Sequence, residues 1–270
     1  PENWNKKYQG TVTMTEALNH SWNAPAVWLL DKIGLKKGIE KVHQFGIETE
    51  PGDEYLGIAL GGLTKGVSPE QMASAYTAFA NKGVRVQPRF VTKIVDANGK
   101  VVVDNTAVKE NRVTTEEVAK KMTSMLLTVY GSEGLGAPFS PAGKTIAGKT
   151  GTTEAINNEN GSRDQWMIGY TPDVVVATWM GYDQSGNYSL SASSREGVGP
   201  LFKLEMEGLL QFTANTPFNV EAVKTKQNNQ NNNTNNGVDQ FIKDAQKAGE
   251  QVWNQIQEWG KNLWDKFRNR

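Results

Sequence analysis

The chain has 270 residues, 37% of them apolar, enough to bury a sizeable core as one large domain or two small ones. Lys plus Arg and Asp plus Glu number 29 each, so no basic excess points to nucleic acid as a partner. There is no cysteine, which excludes disulfides, thiolate nucleophiles and cysteine-ligated zinc; with only His20 and His43, a multi-histidine metal site and any resident cofactor are not expected either.

The first residue is Pro1, and "PENWNKKYQG" has no signal-peptide layout, so the expectation is a chain cut from a longer protein whose export signal lies upstream. Thr13 with Glu16 in "TMTEAL" forms a capping-box pattern that opens a helix. Residues 25–33 and 36–44 read as a helical pair ending at Gly34 and Gly46, both suited to left-handed caps. Ser68 with Gln71, and Pro69 between them, predicts a helix to about Asn81 that buries Met72, Ala75, Tyr76 and Phe79.

"RFVTKIVDANGKVVVDN" reads as a hairpin around Asn98-Gly99. Thr114 with Glu117 predicts another boxed helix start. That helix runs to about Tyr130, with Val118, Met122, Met125, Leu126 and Val129 inward. "KTIAGKTGT" reads as a strand leading into the pair "QWMIGYTPDVVVATWMGYD", which is broken at Thr171-Pro172-Asp173. Its apolar run "VVVATWM" is too short to span a membrane and reads as a buried strand. Helices followed by adjacent antiparallel strands predict an α+β fold, an antiparallel sheet flanked by helices.

The character of the chain changes after Phe218. Residues 1–220 are expected to form the folded domain and 221–237, with "KTKQNNQNNNTNNG", an Asn-rich linker. Residues 238–270 carry an amphipathic helical pattern that includes Trp253, Trp259 and Trp264. The net charge of that segment is only +1, too small for strong attraction to anionic lipid. It could lie at a membrane surface, dock on a partner or pack back on its own domain.

Two stretches carry chemistry. In Lys149-Thr150-Gly151-Thr152, a strand edge with a glycine leaves room for a substrate backbone. The lysine brings a positive charge, and Thr150, Thr152 and Thr153 bring hydroxyls that can hold a carboxylate. In "NHSWNAPAVWLL", Ser21 and Asn23 flank Trp22 between two helices, so a hydroxyl and an amide can share one corner. His20 reads as a partly exposed helix-end residue rather than a base.

Ser-x-Asn followed 128 positions later by Lys-Thr-Gly matches the order of two signature elements of serine β-lactamases and penicillin-binding proteins. The stretches "GTVTMTEALNHSWNAPAV", "ALGGLTKGVSPEQMASAYTAFANKG", "IAGKTGTT" and "DQWMIGYTPDVVVATWMGYD" resemble the transpeptidase domain of class A penicillin-binding proteins, from about Gly10 to Leu210.

The resemblance implies the penicillin-binding protein/serine β-lactamase-like fold and a serine D,D-transpeptidase that cross-links peptidoglycan stem peptides ending in D-Ala-D-Ala and binds β-lactams. It implies that Ser21 shuttles a proton, Asn23 binds the acyl-side amide and Lys149 supports the relay. It further implies that Thr150 and Thr152 hold the terminal carboxylate, with the Thr152 N–H in the oxyanion hole. Gly151, Thr153 and Trp22 would line the cleft; Trp22 departs from the small or polar residue usual there, and packing beneath the loop suits it equally.

The family's nucleophile is the serine of Ser-x-x-Lys, and none of the twelve serines here has a lysine three residues later. The nucleophile is therefore expected upstream, together with a glycosyltransferase domain and a membrane anchor, outside the cytoplasmic membrane. The isolated chain is expected to be inactive. The alternatives are a non-catalytic module that binds cell-wall peptide or scaffolds wall synthesis, and a D,D-carboxypeptidase or β-lactamase-like hydrolase.

Overall fold

The computed structural model describes residues 1–155, 161–183 and 188–224. Residues 225–237 of the expected linker and the whole amphipathic segment 238–270 lie outside the described residues. The linker's first residues are instead tied to the domain, the Ser124 hydroxyl donating to the Glu221 carbonyl and the Val223 N–H to the Ser124 carbonyl.

The chain opens with a strap, residues 1–8, that leads into α1 (Met14–Asn19). The Thr13 capping box is present: Thr13 Oγ1 accepts from the Glu16 N–H at 3.1 Å and Glu16 Oε2 accepts from the Thr13 N–H at 2.8 Å. Next come α2 (Asn23–Ile33) and α3 (Leu35–Gln44), then short 3-10 turns at Pro51–Asp53 and Leu56–Leu60. The loop that holds these turns is closed by Asp53. Its buried carboxylate accepts from the N–H groups of Glu50 and Thr64 and from the Thr64 hydroxyl, and these bonds hold its pKa below the ordinary carboxylate range. Helix α4 (Pro69–Ala80) starts at the Ser68–Gln71 capping box as read from sequence.

Between α4 and α5 (Glu116–Leu126) lie four short strands in two antiparallel pairs. The hairpin of β2 (Lys93–Val95) and β3 (Val101–Asp104) turns at Gly99, where φ is +82°. The pairing of β1 (Val84–Val86) with β4 (Glu110–Arg112) has no sequence signal, because its two halves are a hairpin apart. At α5 the sequence reading is off by one. The cap is Thr115, which accepts from the Val118 N–H, and Val118 itself is 48% exposed. The last turn tightens into a 3-10 segment, Leu127–Val129, that buries Val129.

The main sheet is antiparallel, ordered β5 (Ala147–Glu154), β6 (Ser162–Tyr170), β7 (Val175–Gly181). The β6–β7 turn falls at Thr171-Pro172-Asp173, closed by the Thr171 N–H donating to the Val174 carbonyl at 2.9 Å. In β7 only Val176 and Thr178 are fully buried, so the apolar run is half-covered rather than enclosed. Register pairs Lys149 with Ile168, Gly151 with Trp166, and Thr152 with Gln165.

Side chains alternate across a strand. Ala147, Tyr170 and Val175 therefore share the face toward α4, where Tyr170 meets Tyr76 and Phe79 edge-on or tilted. The opposite face receives α6 (Val198–Leu210). There Phe202 lies over Gly169, and any Cβ at Gly169 would strike its ring. The core joins Tyr130, Phe139, Ile146, Met167, Phe202 and Met206. Burial raises the phenol pKa of Tyr76 to about 12, and pushes that of Tyr130 well above the ordinary value.

Candidate active site

Ser21 and Lys149 meet across the 128 residues that separate them: Lys149 Nζ donates to Ser21 Oγ at 2.7 Å and to the Thr150 carbonyl at 2.7 Å. Both acceptors are neutral, and among the described residues Lys149 forms no ion pair. Burial without a counter-ion disfavours the ammonium and lowers its pKa to about 8. The corner thus holds a partly desolvated cation beside a hydroxyl, a pair able to carry a proton and to attract an anionic ligand.

The backbone turn that delivers Ser21 is a Schellman motif at the end of α1. The Ser21 N–H donates to the Leu18 carbonyl at 3.2 Å, and the Trp22 N–H to the Ala17 carbonyl at 3.0 Å. This geometry puts Ser21 in the left-handed region, φ +53°. The end of α3 repeats the motif with Gly46, φ +85°, which adopts that conformation without steric cost. At the end of α1 a serine occupies the glycine position, and only a side chain there can reach Lys149.

Asn23, the first residue of α2, donates from Nδ2 to the Glu2 carbonyl at 3.0 Å. Asn3, 4% exposed, receives the Ala24 N–H on its Oδ1 at 3.0 Å and donates to the Lys7 carbonyl. The strap 1–8 thus fixes the helix start that carries Asn23, a contact between segments that no local sequence pattern announces. Trp22 is half-buried and stacks on His20, with ring centroids 4.9 Å apart. His20 is thereby a packing partner at a helix end.

The threonines are arranged differently from Lys149. Alternation along β5 places Thr150 and Thr152 on the face opposite to Lys149 and Gly151, while Thr153 shares the lysine's face. The strand pairs only with β6 among the described residues, so its other edge is open. The exposed Thr152 lies along that edge, and its Oγ1 is 2.8 Å from Ser194 Oγ.

Gly151 does not simply leave empty space, since an added Cβ would lie 3.3 Å from Trp166 Cβ. The more constrained glycine is Gly148, where a Cβ would collide with the Ile168 carbonyl. Ser194 and Gln165 were not singled out in the sequence. A Ser-x-x-Glu pattern, Ser193 to Glu196 ahead of the apolar start of α6, is the signal that marks that loop.

Comparison with known proteins shows the family. The penicillin binding protein transpeptidase domain matches residues 2–203. Penicillin-binding protein 2a of Streptococcus pneumoniae is 35% identical over 276 residues, 96% of this chain and 37% of that protein. Penicillin-binding protein 1F of Bacillus subtilis is 40% identical over 195 residues, 72% of this chain and 27% of that protein. The chain therefore spans between about a quarter and little more than a third of the length of these relatives. Among solved structures, PonA1 from Mycobacterium tuberculosis in complex with penicillin V superposes with a TM-score of 0.70 at 29% identity, covering 84% of this chain and 65% of that one. The chain belongs to the penicillin-binding protein transpeptidase domain family and is homologous to class A members over most of its length.

Proposed function

We propose that this chain is the C-terminal portion of a serine D,D-transpeptidase that cross-links peptidoglycan stem peptides ending in D-Ala-D-Ala and is acylated by β-lactams. The observation that carries this reading is the 2.7 Å hydrogen bond from Lys149 to Ser21, which joins the two family motifs at one corner beside an open sheet edge.

In this reading a serine hydroxyl supplied by the upstream part of the protein attacks the carbonyl of the penultimate D-Ala. The new C–O bond replaces the C–N bond to the terminal D-Ala, whose nitrogen leaves as an amine after taking a proton. Ser21 passes that proton from the nucleophile toward the leaving nitrogen, and the Lys149 charge stabilises the relay. The acceptor amine of a neighbouring stem then attacks the acyl-enzyme and regenerates the serine.

Asn23 Nδ2 gives one of its two protons to the Glu2 carbonyl, which leaves its second N–H and Oδ1 to bind the substrate's acyl-side amide. Thr150 and Thr152 hold the terminal carboxylate at the strand edge, Thr153 and Gly151 border it, and Trp22 supports the Ser21 corner. The Thr152 N–H is one oxyanion donor, a contribution worth about 3 kcal/mol where such donors have been removed. The site works outside the cytoplasmic membrane in a protein held there by an upstream anchor. Among the described residues no helix is long and apolar enough to cross a membrane.

The test is labelling of the full-length protein with a fluorescent penicillin, followed by product analysis on stem peptides. A covalent adduct and cross-linked dimer are the expected result. Absence of an adduct overturns the enzyme reading in favour of a binding or scaffolding module, and released D-Ala without dimer assigns a hydrolase instead.

A further inference from the structure

We infer that Ser194 is a positioning residue for the carboxylate end of the cleft: held in place by the buried amide of Gln165, it directs the hydroxyl of Thr152. The inference rests on the reading of Thr152 as a carboxylate-binding residue and adds to it a second hydroxyl and the bracket that fixes it.

Gln165 is directly opposite Thr152 in the β5–β6 register, so the two side chains leave the same face of the sheet side by side. Gln165 is 0% exposed, and its amide is used at both ends. Its Nε2 donates to the Ala192 carbonyl at 2.6 Å and to Ser162 Oγ at 2.7 Å, and its Oε1 accepts from the Val198 N–H at 3.2 Å. The last of these bonds satisfies a helix N–H at the start of α6, where the helix has no side-chain cap of its own. Gly197 allows this approach, since a Cβ there would strike Oε1. One buried side chain therefore ties β6 to both ends of the segment 192–198.

Within that segment, Glu196 Oε2 accepts from the N–H and hydroxyl of Ser193 at 3.0 and 2.9 Å, and the Gly199 N–H donates to the Ser194 carbonyl at 2.9 Å. These bonds leave the Ser194 side chain as the group that faces β5, 2.8 Å from Thr152 Oγ1.

A threonine hydroxyl has one proton to give. When Ser194 donates to Thr152 Oγ1, the Thr152 proton is released from that contact and points to the ligand. An anionic carboxylate, which only accepts, selects that direction. Without Ser194 the Thr152 rotor is shared with water, and part of the ligand's binding free energy goes into orienting it. Ser194 therefore sharpens selection for ligands that end in a carboxylate.

The experiment follows acylation of the full-length protein by a carboxylate-bearing penicillin, resolving the Kd of the initial complex from the acylation rate constant. Ser194→Ala is expected to raise Kd about fivefold, the worth of one neutral hydrogen bond, with the acylation step and the melting temperature nearly unchanged. Ser194→Thr, which restores the hydroxyl, is expected to recover Kd. In a Thr152→Val background Ser194→Ala should add nothing, because the group it orients is gone.

If Thr152→Val weakens binding while Ser194→Ala does not, the inference falls and the reading of Thr152 stands. If Thr152→Val is silent, the carboxylate reading fails and takes the inference with it. A Ser194→Ala loss of equal size in both backgrounds makes the residue merely structural and also overturns the inference.

Discussion

Ser21 holds a backbone conformation that costs a non-glycine residue about 1 kcal/mol, and the same turn at α3 is made by Gly46 without that cost. Lys149 is likewise held in an unfavourable state, since burial opposes its charge. Local-rule violations of this kind cluster at functional sites, which supports the roles proposed for Ser21 and Lys149. Ser21→Gly should therefore raise the unfolding free energy by about 1 kcal/mol in chemical denaturation while abolishing penicillin acylation of the full-length protein.

For Lys149 the folded state favours the neutral amine relative to the unfolded chain. Between about pH 8 and the ordinary lysine value the unfolded state binds more protons, so this residue's contribution to stability rises with pH across that window. Below pH 8 both states are protonated and the burial penalty is present in full. Lys149→Met should remove this rise from the pH dependence of the melting temperature. In the wild-type protein, acylation that depends on the charged lysine should decline as pH passes through about 8.

At the scale of elements, the geometry of β5 is set by close backbone contact with β6. Gly148→Ala would force its Cβ into the Ile168 carbonyl, and neither strand can yield without breaking the register that places Lys149 opposite Ile168. A loss of about 3 kcal/mol or more is expected, read as a drop in the denaturation midpoint. Phe202→Ala empties the space over Gly169 and between Tyr130 and the sheet, at a cost of about 3–5 kcal/mol.

Several elements were legible because their signals are local: the Thr13 and Ser68 boxes, the turn at Gly99 and the break at Thr171-Pro172-Asp173. The cap of α5 was misplaced by one residue, because Thr114 and Thr115 both offer a hydroxyl and Glu117 favours the wrong one. Helix α6 went unread, with glycines at Gly197 and Gly199 and a proline at Pro200 crowding its start. Its first N–H groups are satisfied partly by Gln165 from another strand, so the helix start is completed by tertiary contact.

At the scale of the whole molecule, the chain spans 37% of the length of penicillin-binding protein 2a and has no serine followed at three residues by lysine. The isolated 270 residues should not be labelled by a fluorescent penicillin under conditions where the full-length protein is; covalent labelling would mean that another serine serves as nucleophile. We also propose that the folded domain ends near residue 220. If so, truncation after Lys224 should leave the melting temperature within about 2 °C of the intact chain, because the residues removed would then contribute nothing to the core. A larger fall would place the tail against the domain.

The sequence by itself determined the family, the order and spacing of Ser-x-Asn and Lys-Thr-Gly, the α+β class and most helix starts, because each is written in residues near one another along the chain. Only the tertiary structure decided that Lys149 bonds Ser21, that Thr152 leaves the opposite face of its strand, and that Gln165 ties the Ser194 loop beside it. Those facts depend on strand register and on burial. Both arise from contacts between segments far apart in the chain, and a shift of one residue in pairing would turn every side chain to the other face.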